Sequence, residues 1–382
     1  MMKIFAYLVL IFLFPLSLML YPQKIVSNKD KPLKGTWDFQ MKKLWEVREP
    51  GGEIFAQIGQ ITSDDRETVF VVDRKIYKIF IIDKNGKFIS SFGKRGEGPG
   101  EFKQLESFFL ANDQLVFPDR RANKVLYFSK KGKFLKSMVI PDDLTPRVMV
   151  DENRLISVPY INWRDPKGRA SAFIYNIKDK SKKTLFEFST YKKGMVHKTS
   201  GTGSSSYSFS SSAITPIMVL GYDHDLLYYG FNNIYKITIK DIKTLEEKLV
   251  FTLGREKSKV TAGFKDDLLK HIDWPENIKV EIKKGFPDYF TYFERIICDP
   301  NNNIYVFVTP TDPDQRKKTR LDIFSPRGKY LYSAEIVAAE GLEIRRSYWK
   351  KDKLYLVLET EDGDIKLEKY KIRLPVRTVN GH

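Results

Sequence analysis

The chain has 382 residues, 42% of them apolar and 14% aromatic, which is enough to bury a sizeable core and excludes wholesale disorder. Its formal net charge of +17 favours polyanionic partners or anionic surfaces, although the lysines that carry the excess are spread along the whole length. One cysteine, Cys298, rules out an internal disulfide, and four scattered histidines without HxH, HxxxH or HExxH spacing argue against a histidine or cysteine metal site.

Residues Met1 to Leu20, MMKIFAYLVLIFLFPLSLML, place Lys3 ahead of a nearly unbroken apolar run interrupted by Pro15. This is the form of a secretory signal peptide. The run also approaches the ~20 residues that span a bilayer, and no A-x-A cleavage site follows, so a cleaved signal and a retained membrane anchor both stay open. Export to the periplasm, cell envelope or extracellular space is expected. Residues 21–35 are polar, lysine-rich and proline-punctuated, and read as a flexible leader.

From Trp37 onward, period-2 apolar alternation and turn residues mark strands in groups of four. The first group is Ile54–Ile61, Thr68–Asp73, Ile76–Asp83 and Lys87–Phe92, and the second Leu105–Ala111, Gln114–Pro118, Lys124–Ser129 and Lys133–Ile140. The third is Arg147–Val150, Arg154–Tyr160, Ala170–Ile177 and Lys183–Phe188. The fourth is Ile214–Gly221, Leu226–Tyr229, Ile234–Ile239 and Leu245–Leu253. The fifth is Phe293–Cys298, Ile304–Val308, Arg320–Phe324 and Lys329–Ile336. The sixth offers only Leu342–Trp349, Lys353–Glu359 and Ile365–Ile372, and the N-terminal segment Phe39–Val47 alternates well enough to supply the missing strand.

The turns DKNGKFISS, SKKGKFLKS and SPRGKYLYS align on Gly86, Gly132 and Gly328. The first two glycines are 46 residues apart, and the third lies four steps of 49 further on, which is a propeller-blade period. The expected fold is an all-β, six-bladed β-propeller of four-stranded antiparallel blades spanning 36–376, its last blade closed by an N-terminal strand, with a short tail at 377–382. Two stretches fit no blade. The serine-rich 199–212 reads as a flexible loop, and 255–290 as an ordered insertion with a short helix near Lys265–Ile272.

The joint FGKRGEGPGEF (Phe92 to Phe102) and the blade after it resemble the NHL-repeat pattern. Gly98, Gly100 and Phe102 hold its glycine-rich segment, Leu115–Phe117 and Asp119 its strand ending in Asp, Asn123-Lys124 its turn, and Val125–Phe128 its strand into the hairpin glycine Gly132. DPNNNIYVFV (Asp299 to Val308) is similar to the matching stretch of the fifth blade. More broadly the chain resembles exported bacterial six-bladed propellers of the NHL and TolB-like superfamily. Lys124 departs from that family's usual Arg, and the third and fourth blades depart markedly. The family holds binders, scaffolds and some enzymes, so the resemblance assigns no activity.

The sequence GKRGEGPG is not a phosphate loop, because it lacks the terminal Gly-Lys-Ser/Thr and no helix follows it. A metal-dependent hydrolase of the lactonase type would draw on inner-strand acids, for which Glu53, Glu106, Asp151, Asp223, Glu294 and Glu343 are candidates; each is equally explained as a solvated strand-end residue. There is neither a DxDxDG calcium loop nor a GxSxG elbow, and no cofactor is expected.

The second-to-third-strand loops and the blade-to-blade joints of a propeller open on one face. Here those loops read DRK (Asp73–Lys75), PDRRANK (Pro118–Lys124), NWRDPKGR (Asn162–Arg169) and PDQRKKTR (Pro313–Arg320). A basic rim of Lys94, Arg95, Arg120, Arg121, Arg164, Arg316 and Lys318 is therefore expected, with Trp163 as a stacking surface. Arginine suits bidentate recognition of carboxylate or phosphate. The leading expectation is a monomeric, non-enzymatic exported binder of an anionic ligand, polysaccharide or protein partner, with the N-terminal segment a possible membrane tether. The alternatives are the metal-dependent hydrolase at the channel and, third, an RNA-binding NHL-type propeller, against which export argues; DNA is not an expected partner.

Overall fold

Buried runs such as VFVVD and IYVF, flanked by half-polar strands, mark the middle of each sheet, because a blade is covered on both faces by its neighbours. The computed structural model describes residues 25–159, 168–190, 195–200, 203–209, 211, 213–270, 272–312 and 317–376. The chain begins with three short strands, β1 (Ile25–Lys29), β2 (Thr36–Trp37) and β3 (Lys42–Val47). Blade one is β4 (Ile58–Ser63), β5 (Val69–Asp73), β6 (Lys78–Ile82) and β7 (Phe88–Phe92). Blade two is β8 (Phe109–Ala111), β9 (Gln114–Asp119), β10 (Lys124–Ser129) and β11 (Phe134–Val139). Blade three is β12 (Pro146–Met149), β13 (Arg154–Ser157), β14 (Arg169–Asn176) and β15 (Lys182–Ser189).

A hairpin, β16 (Met195–Ser200) and β17 (Gly203–Ser208), precedes blade four, which is β18 (Met218–Asp223), β19 (Leu226–Phe231), β20 (Lys236–Asp241) and β21 (Glu247–Gly254). Blade five is β22 (Phe293–Cys298), β23 (Ile304–Val308), β24 (Lys318–Phe324) and β25 (Tyr330–Val337). Blade six is β26 (Leu342–Lys350), β27 (Lys353–Thr360), β28 (Ile365–Lys371) and, as its outer strand, β3. The six-bladed propeller is thus the observed fold, and β3 closes the ring antiparallel to β28, with Val47 opposite Leu367 and Lys42 opposite Lys371.

The hairpin glycines do more than turn the chain. Gly86, Gly132 and Gly328 all have positive φ, and a Cβ on each would collide with an aromatic of the preceding blade's outer strand: Trp45, Phe92 and Phe251 respectively. Trp45 belongs to the N-terminal strand β3, so the contact between blades six and one obeys the same rule as the others. Its indole Nε1 also donates to the Lys84 carbonyl at 2.9 Å.

In blades one to four a buried polar side chain at the end of the second strand staples the joint to its blade. The fully buried Asp73 accepts the backbone N–H groups of Ala56 (2.6 Å) and Gln57 (3.0 Å) with one oxygen and that of Lys75 (3.0 Å) with the other. Asp119 repeats this with Lys103 (2.6 Å), Gln104 (3.1 Å) and Ala122 (3.0 Å). Ser157 takes the place in blade three, accepting from Thr145 N–H at 2.9 Å, and Asn232 in blade four, accepting from Ile217 N–H at 2.8 Å.

Three expectations need correction. Residues 21–35 are not a free leader throughout, since β1 adds to blade four in parallel, with Ile25 opposite Val250, and β2 adds to blade five. The physical reason is Asn28, whose amide donates to the Thr252 (3.0 Å) and Gly328 (2.8 Å) carbonyls and accepts from Tyr330 N–H (2.9 Å), tying two blades together. The serine-rich 199–212 contributes all of β17, because cross-strand backbone pairing with β16 is indifferent to side-chain polarity. The insertion carries two helices instead of one, α1 (Ala262–Leu269) and α2 (Glu276–Lys284). Ile278 and Ile282 pack there with Leu269, Phe286, Phe290 and Ile214 as a small core of their own. The predicted signal or anchor at 1–20, the tail at 377–382 and part of the loop at 199–212 lie outside the described residues.

Replacing Asp119 with Ala should strip three backbone N–H groups of a charged acceptor and destabilise the fold by about 3 kcal/mol, with Asp119→Asn intermediate. Urea unfolding followed by tryptophan fluorescence measures both; an Asp119→Ala variant as stable as the parent would contradict the staple.

Candidate functional site

Each staple aspartate in blades one and two is followed at once by an arginine. Holding Asp73 and Asp119 under the joint fixes the backbone at Arg74 and Arg120, and so delivers both guanidinium groups to the face where joints and second-to-third-strand loops meet. The innermost strands add to this. In β4, β12, β22 and β26 the ladder slips by one residue near the start of the strand: between Ile58 and Ile61, between Pro146 and Val148, between Phe293 and Arg295, and between Ile344 and Arg346. A bulge leaves an extra residue out of the ladder and re-aims side chains. These bulges fall at Gly59-Gln60, Arg147, Glu294 and Arg345, so that the inner strands carry polar groups at the channel mouth.

On the side of blades one to four the mouth is a cavity of about 290 Å³ lined by Gln60, Gln104, Glu106, Arg120, Arg147 and Leu220, among others. Gln60 clips blade one to blade two, its amide donating to the Phe108 carbonyl (2.8 Å) and accepting from Phe108 N–H (3.0 Å). Gln104 donates to Glu106 Oε1 at 2.6 Å. On the side of blades five and six, Arg295 lies over the Phe307 ring at 3.6 Å and donates to both the carbonyl and the hydroxyl of Ser347, a rigid bridge between the two inner strands. Arg346 is exposed on β26, and the Arg74 side chain lies across Gly59, where a Cβ would meet its Cγ at 2.6 Å.

The electrostatics are unfavourable as they stand. Burial pushes the Arg147 guanidinium down to about 10, and Arg120 beside it acts in the same direction. Burial likewise brings Arg295 to about 10, Glu294 opposing and Arg346 reinforcing the fall. Arg346, though its residue reaches solvent, is lowered by partial desolvation at the mouth and by Arg74, with Glu294 opposing the fall. All stay protonated at neutral pH. A base held below its ordinary value binds its proton less tightly in the folded chain. The Arg147 contribution therefore destabilises the fold below about pH 10 and is relieved only as pH rises beyond that towards the ordinary arginine range. Among the described residues Arg74, Arg120 and Arg346 have no carboxylate at ion-pair distance, and the Nε of Arg74 is buried without a hydrogen-bond acceptor. Several basic residues elsewhere are paired, as in Arg255 with Asp322 (2.8 Å) and Asp30 (2.6 Å), or Arg154 with Asp151 (2.6 Å).

Of the rim expected from sequence, Arg120 alone among the described members lines the cavity. Lys94 is paired with Glu101 inside its own glycine-rich joint (3.2 Å), Arg95 lies over the Tyr77 ring (5.6 Å), and Lys318, on β24, pairs with Glu335 (3.3 Å). Arg121 is exposed next to Arg120. Trp163, Arg164 and Arg316 lie outside the described residues. Sequence reasoning missed Arg147, Arg295 and Arg346. Their signal was a charged residue breaking the alternation near the start of an inner strand, in PRVMV, FERII and EIRRS.

The six candidate hydrolase acids do not converge. Glu53 bonds Lys78 (2.5 Å), Glu106 bonds Gln104, Asp151 bonds Arg154, and Asp223 pairs with His224 (2.8 Å). Glu343 pairs with Arg345 (3.2 Å), and Glu294 stands among the arginines. Among the described residues no three His, Cys, Asp or Glu side chains gather to hold a metal ion.

The chain belongs to the family DUF4934, a domain of unknown function, whose pattern matches residues 54–309. No protein of curated function matches it by sequence. Among solved structures it is similar to a candidate exported protein from Bacteroides fragilis, with a TM-score of 0.56 and 12% identity over 92% of this chain and 100% of the other. It is also similar to a DUF4221 family member from Bacteroides vulgatus, with a TM-score of 0.57 and 8% identity over 88% and 99%. A virginiamycin B lyase from Staphylococcus aureus superposes with a TM-score of 0.43 and 12% identity over 88% and 100%. At these identities the likeness extends to the fold. Among the described residues no helix is long and apolar enough to cross a membrane.

Substituting Arg120 with Gln should remove like-charge repulsion and stabilise the ligand-free protein by about 0.5 kcal/mol. Arg255→Gln, which breaks a buried pair, should instead destabilise it by about 3 kcal/mol. Chemical denaturation in low-salt buffer distinguishes the signs, and a loss of stability in Arg120→Gln would mean that the mouth is not electrostatically frustrated.

Proposed function

We propose that this DUF4934 protein is an exported, non-catalytic propeller that binds an anionic ligand at the joint-face mouth of its channel. The observation that carries the reading is the set of arginines from blades one, two and six, Arg74, Arg120 and Arg346, none with a carboxylate at ion-pair distance among the described residues, beside Arg147 and Arg295, which burial holds below the ordinary arginine range. Like charges gathered in a partly desolvated concavity cost stability in the empty protein, and an anion reverses the sign of that contribution. The rigid mounting of Arg295 on Phe307 and Ser347 reduces the ordering a ligand must supply.

The placement rests on further support. The apolar run at 1–20 has the form of an export signal, and one structural neighbour is a candidate exported protein. We read the chain as a divergent relative of the NHL and TolB-like propellers, in which Asp119 is the strand-ending aspartate and Gly132 the hairpin glycine, at the periplasmic, cell-envelope or extracellular end of export. The ligand meets a mouth on one face of the ring, while the rim lysines Lys94 and Lys318 are engaged with their own glutamates and contribute little.

Calorimetric titration of the full chain with a panel of carboxylates, phosphates and sulfated or uronic sugars should find an anion whose affinity falls as salt is raised. Arg120→Glu and Arg346→Glu should each weaken it about 100-fold, while Lys94→Glu and Lys318→Glu change it less than threefold. Equal loss in the rim variants, or no binding by any anion, would sink the reading.

A further inference from the structure

The outer wall of the ring does not carry its lysines evenly. The third-to-fourth-strand hairpins and outer strands of blades two and three hold them in two tight groups, SKKGKFLK (129–136) and KDKSKK (178–183). Lys130 is paired with Asp64 (3.1 Å) and Lys182 with Asp143 (3.1 Å). Lys131, Lys133, Lys136, Lys178, Lys180 and Lys183 are all exposed, and none has a carboxylate at ion-pair distance among the described residues. The two groups adjoin. Met138 of β11 packs in one cluster with Ile177 at the base of the blade-three hairpin, and Asp143 lies in the joint that follows β11. Leu135 and Val139 leave large apolar side chains exposed on the same strand. Protection of a free sheet edge does not account for the lysines, since β7 (FISSF) is an equally open outer strand and contains none. Opposite blade three in the six-bladed ring, the matching hairpin of blade six is acidic, with Glu361, Asp362 and Asp364.

The N-terminal strap joins the ring beside this wall. Phe186 of β15 stacks on Tyr229 at 4.0 Å, and the Tyr229 hydroxyl donates to Glu247, the first residue of β21, at 3.1 Å. Strand β1 begins there, with Ile25 opposite Val250. Residues 21–24 alone separate Ile25 from the apolar run Ile4–Leu20, a reach of at most about 14 Å.

We infer that the outer wall of blades two and three docks on the surface of an anionic phospholipid bilayer, independently of the anion site at the channel mouth. Lysine suits that partner. It is a hydrated point charge on a flexible stem and can follow a fluid layer of headgroups, whereas a fixed guanidinium suits one fixed anion. The attraction of each lysine dies away within a Debye length, so all six act together only when the wall lies against the surface. Leu135 and Val139 then enter the headgroup boundary, and the acidic hairpin of blade six is held on the far side of the ring. The short link to Ile4–Leu20 brings an apolar segment to the same side.

The test reads lysine exposure on the full chain. The protein is mixed with vesicles of phosphatidylcholine, alone or with phosphatidylglycerol added, then acetylated with a water-soluble reagent and mapped by mass spectrometry. With phosphatidylglycerol present, labelling at Lys131, Lys133, Lys178, Lys180 and Lys183 should fall several-fold and return as salt is raised. The exposed Lys329 and Lys371, on blades five and six, should be labelled as before. Lys131→Glu combined with Lys180→Glu should abolish the protection of Lys133, Lys178 and Lys183, with circular dichroism confirming the fold, and the matching Lys→Arg pair should keep it. Equal labelling with both vesicle types would overturn the inference. Exposure in both would mean that the wall meets no bilayer, and protection in both that the apolar run holds the chain there without recognition of anionic lipid. Protection by added heparin but not by vesicles would assign the wall to an acidic polysaccharide and sink the membrane reading.

Discussion

The buried acceptor at the end of the second strand in blades one to four is the contact on which this propeller depends. A joint between blades arrives with unpaired backbone N–H groups that cannot be left dry. Asp73 and Asp119 satisfy two of them with one oxygen and hold their own loop with the other, so a single side chain fixes where the inner strand begins and how the loop above it runs. Ser157 and Asn232 do the same with fewer bonds in the blades whose sequences have drifted. Because an arginine directly follows each aspartate, the device that builds the blade also aims a cation at the channel.

The mouth then shows what stability is traded for. Elsewhere several basic residues are neutralised locally, down to the pairing of Lys94 with Glu101 inside a glycine-rich joint. At the mouth, Arg345 is paired with Glu343 and Glu359, but Arg74, Arg120 and Arg346 have no carboxylate at ion-pair distance among the described residues, and Arg120 and Arg346 lower the neighbouring Arg147 and Arg295. Such local conflict between electrostatics and folding, set on a rigid scaffold, is where function is expected to reside.

Architecture was legible in the sequence because it repeats. Strand alternation and the turn glycines Gly86, Gly132 and Gly328 report on local geometry that every blade must solve in the same way, and the shortage of one strand in blade six pointed to Phe39–Val47. The site was less legible because it is assembled from single exceptions. Arg147 and Arg346 look like ordinary polar positions on half-exposed strands until the register slips beside them, and a bulge has no composition of its own. The surroundings of the basic rim were hidden for a related reason: counting cations in loops ignores acids such as Glu101 and Glu335, which reach Lys94 and Lys318 in space. The strap β1 was missed since its key contact is one asparagine, Asn28, meeting carbonyls from two distant blades.

The route of the N-terminal segment bears on how the molecule is made. Strands β1, β2 and β3 emerge first during synthesis, yet their partners are β21 and β25, the outer strands of blades four and five, and β28, the third strand of blade six. At ordinary translation rates of about 5–20 residues per second, β3 waits tens of seconds for the sheet it completes. Over that interval it is an unpaired edge open to pairing with another chain. Lys42 and Lys43, with the lysines before them, make that edge a poor template for such pairing. The ring's last seam is therefore also its kinetic checkpoint: until the final blade has been synthesised, the chain has no closed state to fall into.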